Sequence, residues 1–337
     1  MEQSGYKPTL LEDADYVVVN TCAIKQPTEN KVIHFLKKVA KTDKNIVVAG
    51  CLTKTNIRRI EKEVPTFSAA IDPQSIDKIG EVINRIERGE TKIIKVAEKS
   101  PNKLKIPKTS GQSTLGIIQI SEGCNMICGY CCARLARGKL QCFPSEDIVN
   151  EAKRLVKVGC KELRITSQDN GSYTYKGKRL PHLLKKVCAI KGDFTIRVGM
   201  MNPTYVKDEK LLGELIDAYK DEKVQKFLHL PVQSGSNKIL RLMKRGYTVE
   251  DFVKIVERFR KEIPNLFLST DVIVGFPEES DADFKATIEL MKKIKPNKVN
   301  ISKFGARPGT EATKMKQLPV EIINERSKRL YGALEGT

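Results

Sequence analysis

A chain of 337 residues can bury more than one small core, and its 40% hydrophobic and 30% charged content is that of a globular protein rather than a disordered one. No apolar run approaches the roughly 20 residues of a membrane span, and the opening "MEQSGYKPTLLEDADY" lacks the basic start and apolar stretch of a secretory signal. The chain is therefore expected in the cytoplasm, without a membrane partner and with its nine cysteines reduced, and its net charge of +19 either favours a polyanion such as nucleic acid or is a solubilising excess.

Two β-branched runs come first, "YVVVN" from Tyr16 and "NIVVAG" from Asn45. The segment between them carries Val32, Ile33, Phe35, Leu36 and Val39 at helical spacing, which reads as strand, helix, strand. A right-handed crossover makes the two strands parallel. Cys22 and Cys51 each follow a strand within two residues, at the carboxyl edge where open α/β sheets bind ligands. A joint metal role and two separate structural cysteines are both open. "KIIKVAEKSPNKLKIPKTSGQST", from Lys92, is polar with two prolines and reads as a linker. The limits drawn are an α/β domain over 1–95, a linker over 96–113, a barrel over 114–318 and a carboxyl-terminal basic helix over 319–337.

The second region alternates strand and helix six times. "LGIIQI", "KELRIT", "FTIRVG", "KFLHLP", "LFLSTDVIV" and "KVNIS" are the strands. Helical stretches between them have entry signals: Ser145 with two acids, Thr248 with Asp251, and Ser280 with Asp283. Six βα units imply an α/β fold with a parallel, barrel-like sheet, whose chemistry gathers at the carboxyl ends of its strands. "SEGC", "TSQDNG", "GMMNP", "PVQSGS", "VGFPEE" and "KFGARPG" all fall there.

"SEGCNMICGYCCARLARG", after the first barrel strand, spaces Cys124, Cys128 and Cys131 as C-x-x-x-C-x-x-C. Three thiolates so placed hold three corners of a 4Fe-4S cluster and leave one iron open to S-adenosylmethionine. Zinc is the competing reading, but it favours four Cys or His ligands, and neither a second C-x-x-C pair nor a histidine lies nearby. Tyr130 sits where an aromatic ring packs near an adenine. Cys132 is read as packing into the barrel, and Cys142, Cys160 and Cys188 as ordinary thiols. Arg134, Arg137 and Lys139 leave the loop together, either as phosphate contacts or as a solvated basic loop.

The triad, "ARG" at Ala136–Gly138, "HLPVQSGS", "TDVIVGFPEES" and "RPGT" follow the order of the radical S-adenosylmethionine methylthiotransferases, which the chain resembles over nearly its whole length. "NTC" and "AGC" are similar to that family's amino-terminal domain. "LARGKLQCFP", "TSQDNGSY", "GMMNP" and "FGARPGT" resemble the archaeal and eukaryotic subgroup acting on N6-threonylcarbamoyladenosine beside the tRNA anticodon. The alternative substrates are isopentenyladenosine in tRNA and an aspartate of a ribosomal protein.

The resemblance implies a partial (βα)6 TIM-like radical SAM barrel preceded by a small, truncated α/β methylthiotransferase domain. It implies one 4Fe-4S cluster at Cys124, Cys128 and Cys131 for cleaving S-adenosylmethionine, and a second at Cys22 and Cys51 for delivering sulfur to adenine C2. A second S-adenosylmethionine supplies the methyl group. Ser167, Gln168, Arg197, His229, Gln233 and Gly275 are placed at the cofactor pocket with Tyr130. Each has a structural alternative: a turn cap for Gln168, a surface pair for Arg197, a core histidine for His229, a turn for Gly275. tRNA is the expected partner of a monomer whose electron and sulfur donors are unidentified. The family's third amino-terminal cysteine and its carboxyl-terminal RNA-binding barrel are expected to have no counterpart here, so His34 or solvent would be the nearby substitute ligand. A one-cluster, RNA-binding fragment without sulfur insertion is the second expectation.

Overall fold

Four parallel strands in chain order, β1 (Tyr16–Thr21), β2 (Asn45–Gly50), β3 (Ala69–Ile71) and β4 (Ile93–Lys95), form the first sheet of the computed structural model. The model describes residues 1, 5–108 and 113–334. The expected crossover is present: α1 (Gln26–Val39) buries Ile33, Leu36 and Val39 against the sheet, with Pro27 in its first turn, where a missing N–H costs nothing. Three further helices, α2 (Leu52–Thr55), α3 (Ile57–Glu63) and α4 (Ile79–Glu87), complete this layer. β3 and β4 were not read from the sequence, because three residues are too few to display a period. The head of the presumed linker, Ile93–Lys95, is in fact the edge strand. Past it, Gln141 exchanges two bonds with the Ser100 backbone at 3.2 and 2.8 Å, and Lys108 reaches Glu151 at 2.8 Å. The segment is strapped to the barrel as far as Lys108; 109–112 lie outside the described residues.

The six expected barrel strands are all present. β5 (Leu115–Gln119) is followed by the short antiparallel pair β6 (Ser121–Glu122) and β7 (Gln141–Cys142), which frames the cysteine loop. β8 (Glu162–Thr166), the hairpin β9 (Thr174–Tyr175) and β10 (Lys178–Arg179), then β11 (Thr195–Val198), β12 (Phe227–His229), β13 (Phe267–Val274) and β14 (Lys298–Lys303) complete the set. β5, β8 and β11 form one parallel ladder and β12, β13 and β14 another, and Ile196 of β11 makes an isolated bridge with Val224, just ahead of β12. The helices are α5 (Ala133–Arg137), α6 (Ser145–Lys157), α7 (Leu180–Cys188), α8 (Pro203–Val206), α9 (Glu209–Lys220), α10 (Asn237–Leu242), α11 (Val249–Glu262), α12 (Asp281–Ile294) and α13 (Val320–Leu334); 335–337 of the expected last helix lie outside the described residues.

Strand alternation sorts side chains by face. Ile118, Leu163, Ile165, Ile196, Val198 and Leu228 are buried in one core with residues of the outer helices. The alternate positions, among them Arg164, Arg197, His229 and Asp271, are half-buried and face the inside of the curved sheet. Thr248 and Ser280 form the expected capping boxes with Asp251 and Asp283. Ser145 does not cap: it is the first helical residue of α6, and its hydroxyl bonds Glu146 at 3.0 Å.

Buried polar contacts dock the two regions. Arg307, 4% exposed, pairs with Glu29, 1% exposed, and donates to Gln26 Oε1 at 2.6 Å; Arg59 reaches Glu29 from its other side at 2.7 Å. Burial opposes the Glu29 charge, but these arginines outweigh it and hold the carboxyl below its usual range. Cys132 is buried here rather than in the barrel core, its Sγ donating to Ala23 O at 3.2 Å.

Candidate metal centre

The loop from Cys124 to Cys131 leaves β6 at the mouth of the barrel and is tied down by distant elements. Cys124 N donates to Gly138 O at 3.2 Å, Gly129 N to Met243 O at 3.0 Å, and Ala312 N to Gly129 O at 2.9 Å. Gln168 Oε1 accepts from Gly123 N at 2.7 Å, so Gln168 holds the loop rather than capping its own turn. Gly123 has φ +75°, and a Cβ there would clash with Lys139 O, so glycine is needed where the loop begins.

Each sulfur of the triad accepts one N–H bond. Cys124 receives Met126 N at 3.4 Å, Cys131 receives Ala133 N at 3.4 Å, and Cys128 receives Arg245 Nη1 at 3.3 Å. Burial pushes the Cys131 thiol up to about 12 and raises Cys124. Burial thus favours the protonated thiols, and binding a metal would release their protons. Among the described residues, no three His, Cys, Asp or Glu side chains converge on the point of a single ion. A cubane asks instead for thiols set apart, one to each iron corner, and N–H donors to the sulfurs suit that use. Arg245 had no signal in the sequence, lying far from the triad. It also donates to the hydroxyls of Tyr130 at 3.3 Å and Tyr247 at 3.1 Å.

The remaining expected residues divide into four groups. Tyr130 stands at the mouth, edge-on to Phe276 at 6.4 Å, and burial raises its hydroxyl above the ordinary tyrosine value. Arg197 and His229 face the lumen: the Arg197 guanidinium lies 3.8 Å from the Phe227 ring centroid, and His229 Nε2 is 3.1 Å from Asp271 Oδ1, which Asn300 also bonds at 2.7 Å. Gln233 and Gly275 shape turns. Gln233 holds φ +71° while its backbone bridges β13, and Gly275, at φ +76°, would place a Cβ 2.5 Å from Ile323 of α13. Ser167 accepts from Asp169 N at 3.1 Å. Asp169 went unnoticed inside "TSQDNG"; it is 2% exposed, its Oδ2 has no hydrogen-bond partner among the described residues, and burial lifts its carboxyl to about 6.

Cys22 and Cys51 lie at the ends of adjacent strands, and Cys51 N bonds Thr21 O at 3.1 Å. Arg137 donates to Cys51 Sγ at 3.2 Å, and Cys132 brings a third thiol to Ala23 O. His34 is on the exposed face of α1. Arg137 is turned inward rather than towards a phosphate, pairing with Glu122 at 2.7 Å, whereas Arg134 and Lys139 have no ion pair among the described residues. Cys142 accepts from Thr174 N at 3.4 Å, Cys160 donates to Ser113 O at 3.3 Å, and Cys188 is buried at the end of α7. A groove of about 440 Å³ between α11 and α12 lies on the outer helical face, away from this site.

The chain is similar to known proteins over most of its length. Residues 118–291 match the model of the radical SAM superfamily, and residues 1–72 that of "Uncharacterized protein family UPF0004". A protein of Pyrococcus horikoshii named probable threonylcarbamoyladenosine tRNA methylthiotransferase is 47% identical over 324 residues, 95% of this chain and 75% of that one. One of Methanothermobacter thermautotrophicus with the same name is 38% identical, over 98% and 78%. The human threonylcarbamoyladenosine tRNA methylthiotransferase is 35% identical, over 97% and 57%. Two solved structures share the fold. The radical S-adenosylmethionine methyltransferase TsrM from Kitasatospora setae, at 14% identity, superposes with a TM-score of 0.66 over 88% of this chain and 66% of its own. The cobalamin-dependent radical enzyme OxsB, at 11% identity, gives 0.63 over 96% and 48%. With such identity over nearly all its length, the chain belongs to the threonylcarbamoyladenosine tRNA methylthiotransferases, a family of radical SAM proteins.

Proposed function

We propose that this protein methylthiolates C2 of N6-threonylcarbamoyladenosine in tRNA. The observation that carries the reading is the triad at the barrel mouth, each sulfur with its own N–H donor, beside a sheet edge bearing Cys22 and Cys51. Residues 114–318 would be the radical-generating barrel, 1–95 the sulfur-delivering domain and 96–113 the tether, with α13 (Val320–Leu334) closing the barrel. Cys124, Cys128 and Cys131 would hold a 4Fe-4S cluster, and Cys22 and Cys51 would take part in holding a second.

When bound, the first cluster supplies the electron that splits S-adenosylmethionine into methionine and a 5′-deoxyadenosyl radical. The chain's own residues build the room for it. Gln168 and Gly123 fix the loop, Arg245 sets Tyr130 and Cys128, and the lumen offers Arg197 and His229 to polar parts of the ligand. His229 is oriented by Asp271. Arg134 and Lys139 are free to meet phosphate, and the +19 charge of the chain favours a polyanion that binds more weakly as salt rises. Among the described residues, no helix is long and apolar enough to cross a membrane. A monomer in the cytoplasm fits the sequence.

Two measurements test the reading. Anaerobically reconstituted protein should form 5′-deoxyadenosine from S-adenosylmethionine under reductant, and C124A/C128A/C131A should abolish it; equal activity in the triple variant rejects the site. Nucleosides of tRNA from a deletion strain should lack methylthio-threonylcarbamoyladenosine, and unchanged levels reject the substrate.

A further inference from the structure

Arg137 stands between the two cysteine sites. It is the last residue of α5, the single turn after Cys131 and Cys132, and the chain reverses at Gly138, whose amide closes on Arg134 O at 2.8 Å. From there its Nε donates to Cys51 Sγ at 3.2 Å and its Nη1 to Glu122 Oε1 at 2.7 Å. Glu122 is 1% exposed and lies two residues before Cys124. Its other oxygen is held by Lys103 at 2.7 Å and Gln119 at 2.6 Å.

The local charge count is unbalanced. Lys103 and Arg137 both pair with one carboxylate, Glu122, so among the described residues one positive charge is left unmatched, and Arg137 Nε lies on the Cys51 sulfur. A half-buried guanidinium that retains its charge beside a sulfur suits an anionic occupant there. The planar fork also fixes direction: with Nη1 anchored on a buried carboxylate, Nε can meet Cys51 in only one arrangement.

We propose that Arg137 is a positioning residue for sulfur transfer. It holds the Cys51 sulfur, and the iron–sulfur group that Cys51 helps to bind, at a set place relative to the cysteine loop of the barrel. Its charge offsets the negative charge of that group. The inference rests on reading Cys51 as a ligand.

The experiment uses the full chain carrying C124A/C128A/C131A, so that only the amino-terminal site can be loaded. After anaerobic reconstitution with ferrous iron and sulfide, iron per chain, the rate of iron loss to a ferrous chelator and the midpoint potential are measured for this parent, R137Q and R137K. Loss of an outer partner typically weakens a metal site by about 10–100-fold, so R137Q should lose iron about tenfold faster and shift to a more negative potential. R137K keeps the charge without the fork: its potential should return towards the parent while iron loss stays fast. A purely structural role would not separate these readouts. Iron retention and potential in R137Q equal to the parent overturn the proposal. If R137Q does not fold, R137K decides, and parental retention there overturns it. A parent that binds no iron overturns the reading of Cys22 and Cys51 and takes the proposal with it, an outcome distinct from equal behaviour of the variants.

Discussion

Gln168 sits at the expected place and holds the cysteine loop there. Its Oε1 accepts from Gly123 N, the amide that opens the cysteine loop. A hydrogen bond of this kind contributes about 1 kcal/mol, and as a support of metal ligands it acts on cluster retention. Q168A is therefore expected to release iron from the reconstituted barrel site to a chelator about tenfold faster, while Q168E, which keeps an acceptor, stays near the parent. Equal rates for Q168A and parent reject this role. The triad itself was legible because its ligands are neighbours in sequence. Arg245 was not, because only the fold brings it to Cys128 and Tyr130.

At the scale of elements, α12 gives the clearest test of electrostatics. Asp283 accepts from Ser236 Oγ at 2.6 Å, Ser280 Oγ at 2.6 Å, Ser280 N at 2.9 Å and Lys238 Nζ at 3.0 Å. Burial works against the charge, but these donors outweigh it and hold the carboxyl well below the usual carboxylate range. A lowered native value means stabilisation that is complete above the unfolded pKa of about 4 and is lost as pH falls towards the native one. D283N should lower stability by about 1–2 kcal/mol at pH 7. The gap, read from urea midpoints, should narrow near pH 3; a gap that is constant with pH assigns the loss to shape rather than charge. This capping box was visible as a spacing of three residues. β3 and β4 were not, because three apolar residues fit a strand, a helix or a loop equally well.

For the whole molecule, the decisive contact is the one that docks the first sheet on the barrel. Arg307 and Glu29 are both almost fully buried, and breaking such a pair from one side costs about 3–5 kcal/mol. Arg59 still neutralises Glu29 in R307M, so the loss should fall at the lower end of that range. Calorimetry of R307M is expected to show the amino-terminal region melting ahead of the barrel, where the parent melts with the two coupled. A single transition at the parental temperature would falsify the docking role. The motif "RPGT" marked Arg307 as notable, but nothing in a linear pattern names Glu29 and Gln26 as its partners.

By itself the sequence determined what local order can encode: strand and helix periods, the capping boxes, the C-x-x-x-C-x-x-C spacing and the succession of βα units. Each of these depends on residues a few positions apart, whose geometry the backbone dictates. Only the tertiary structure decided how those pieces are used. It turned Arg137 from the phosphate side to Cys51 and Glu122, moved Cys132 from the barrel core to the domain interface, and gave Gln168 to the loop. These are choices among partners far apart in the chain. They follow from the requirement that buried charges and donors find partners wherever packing places them.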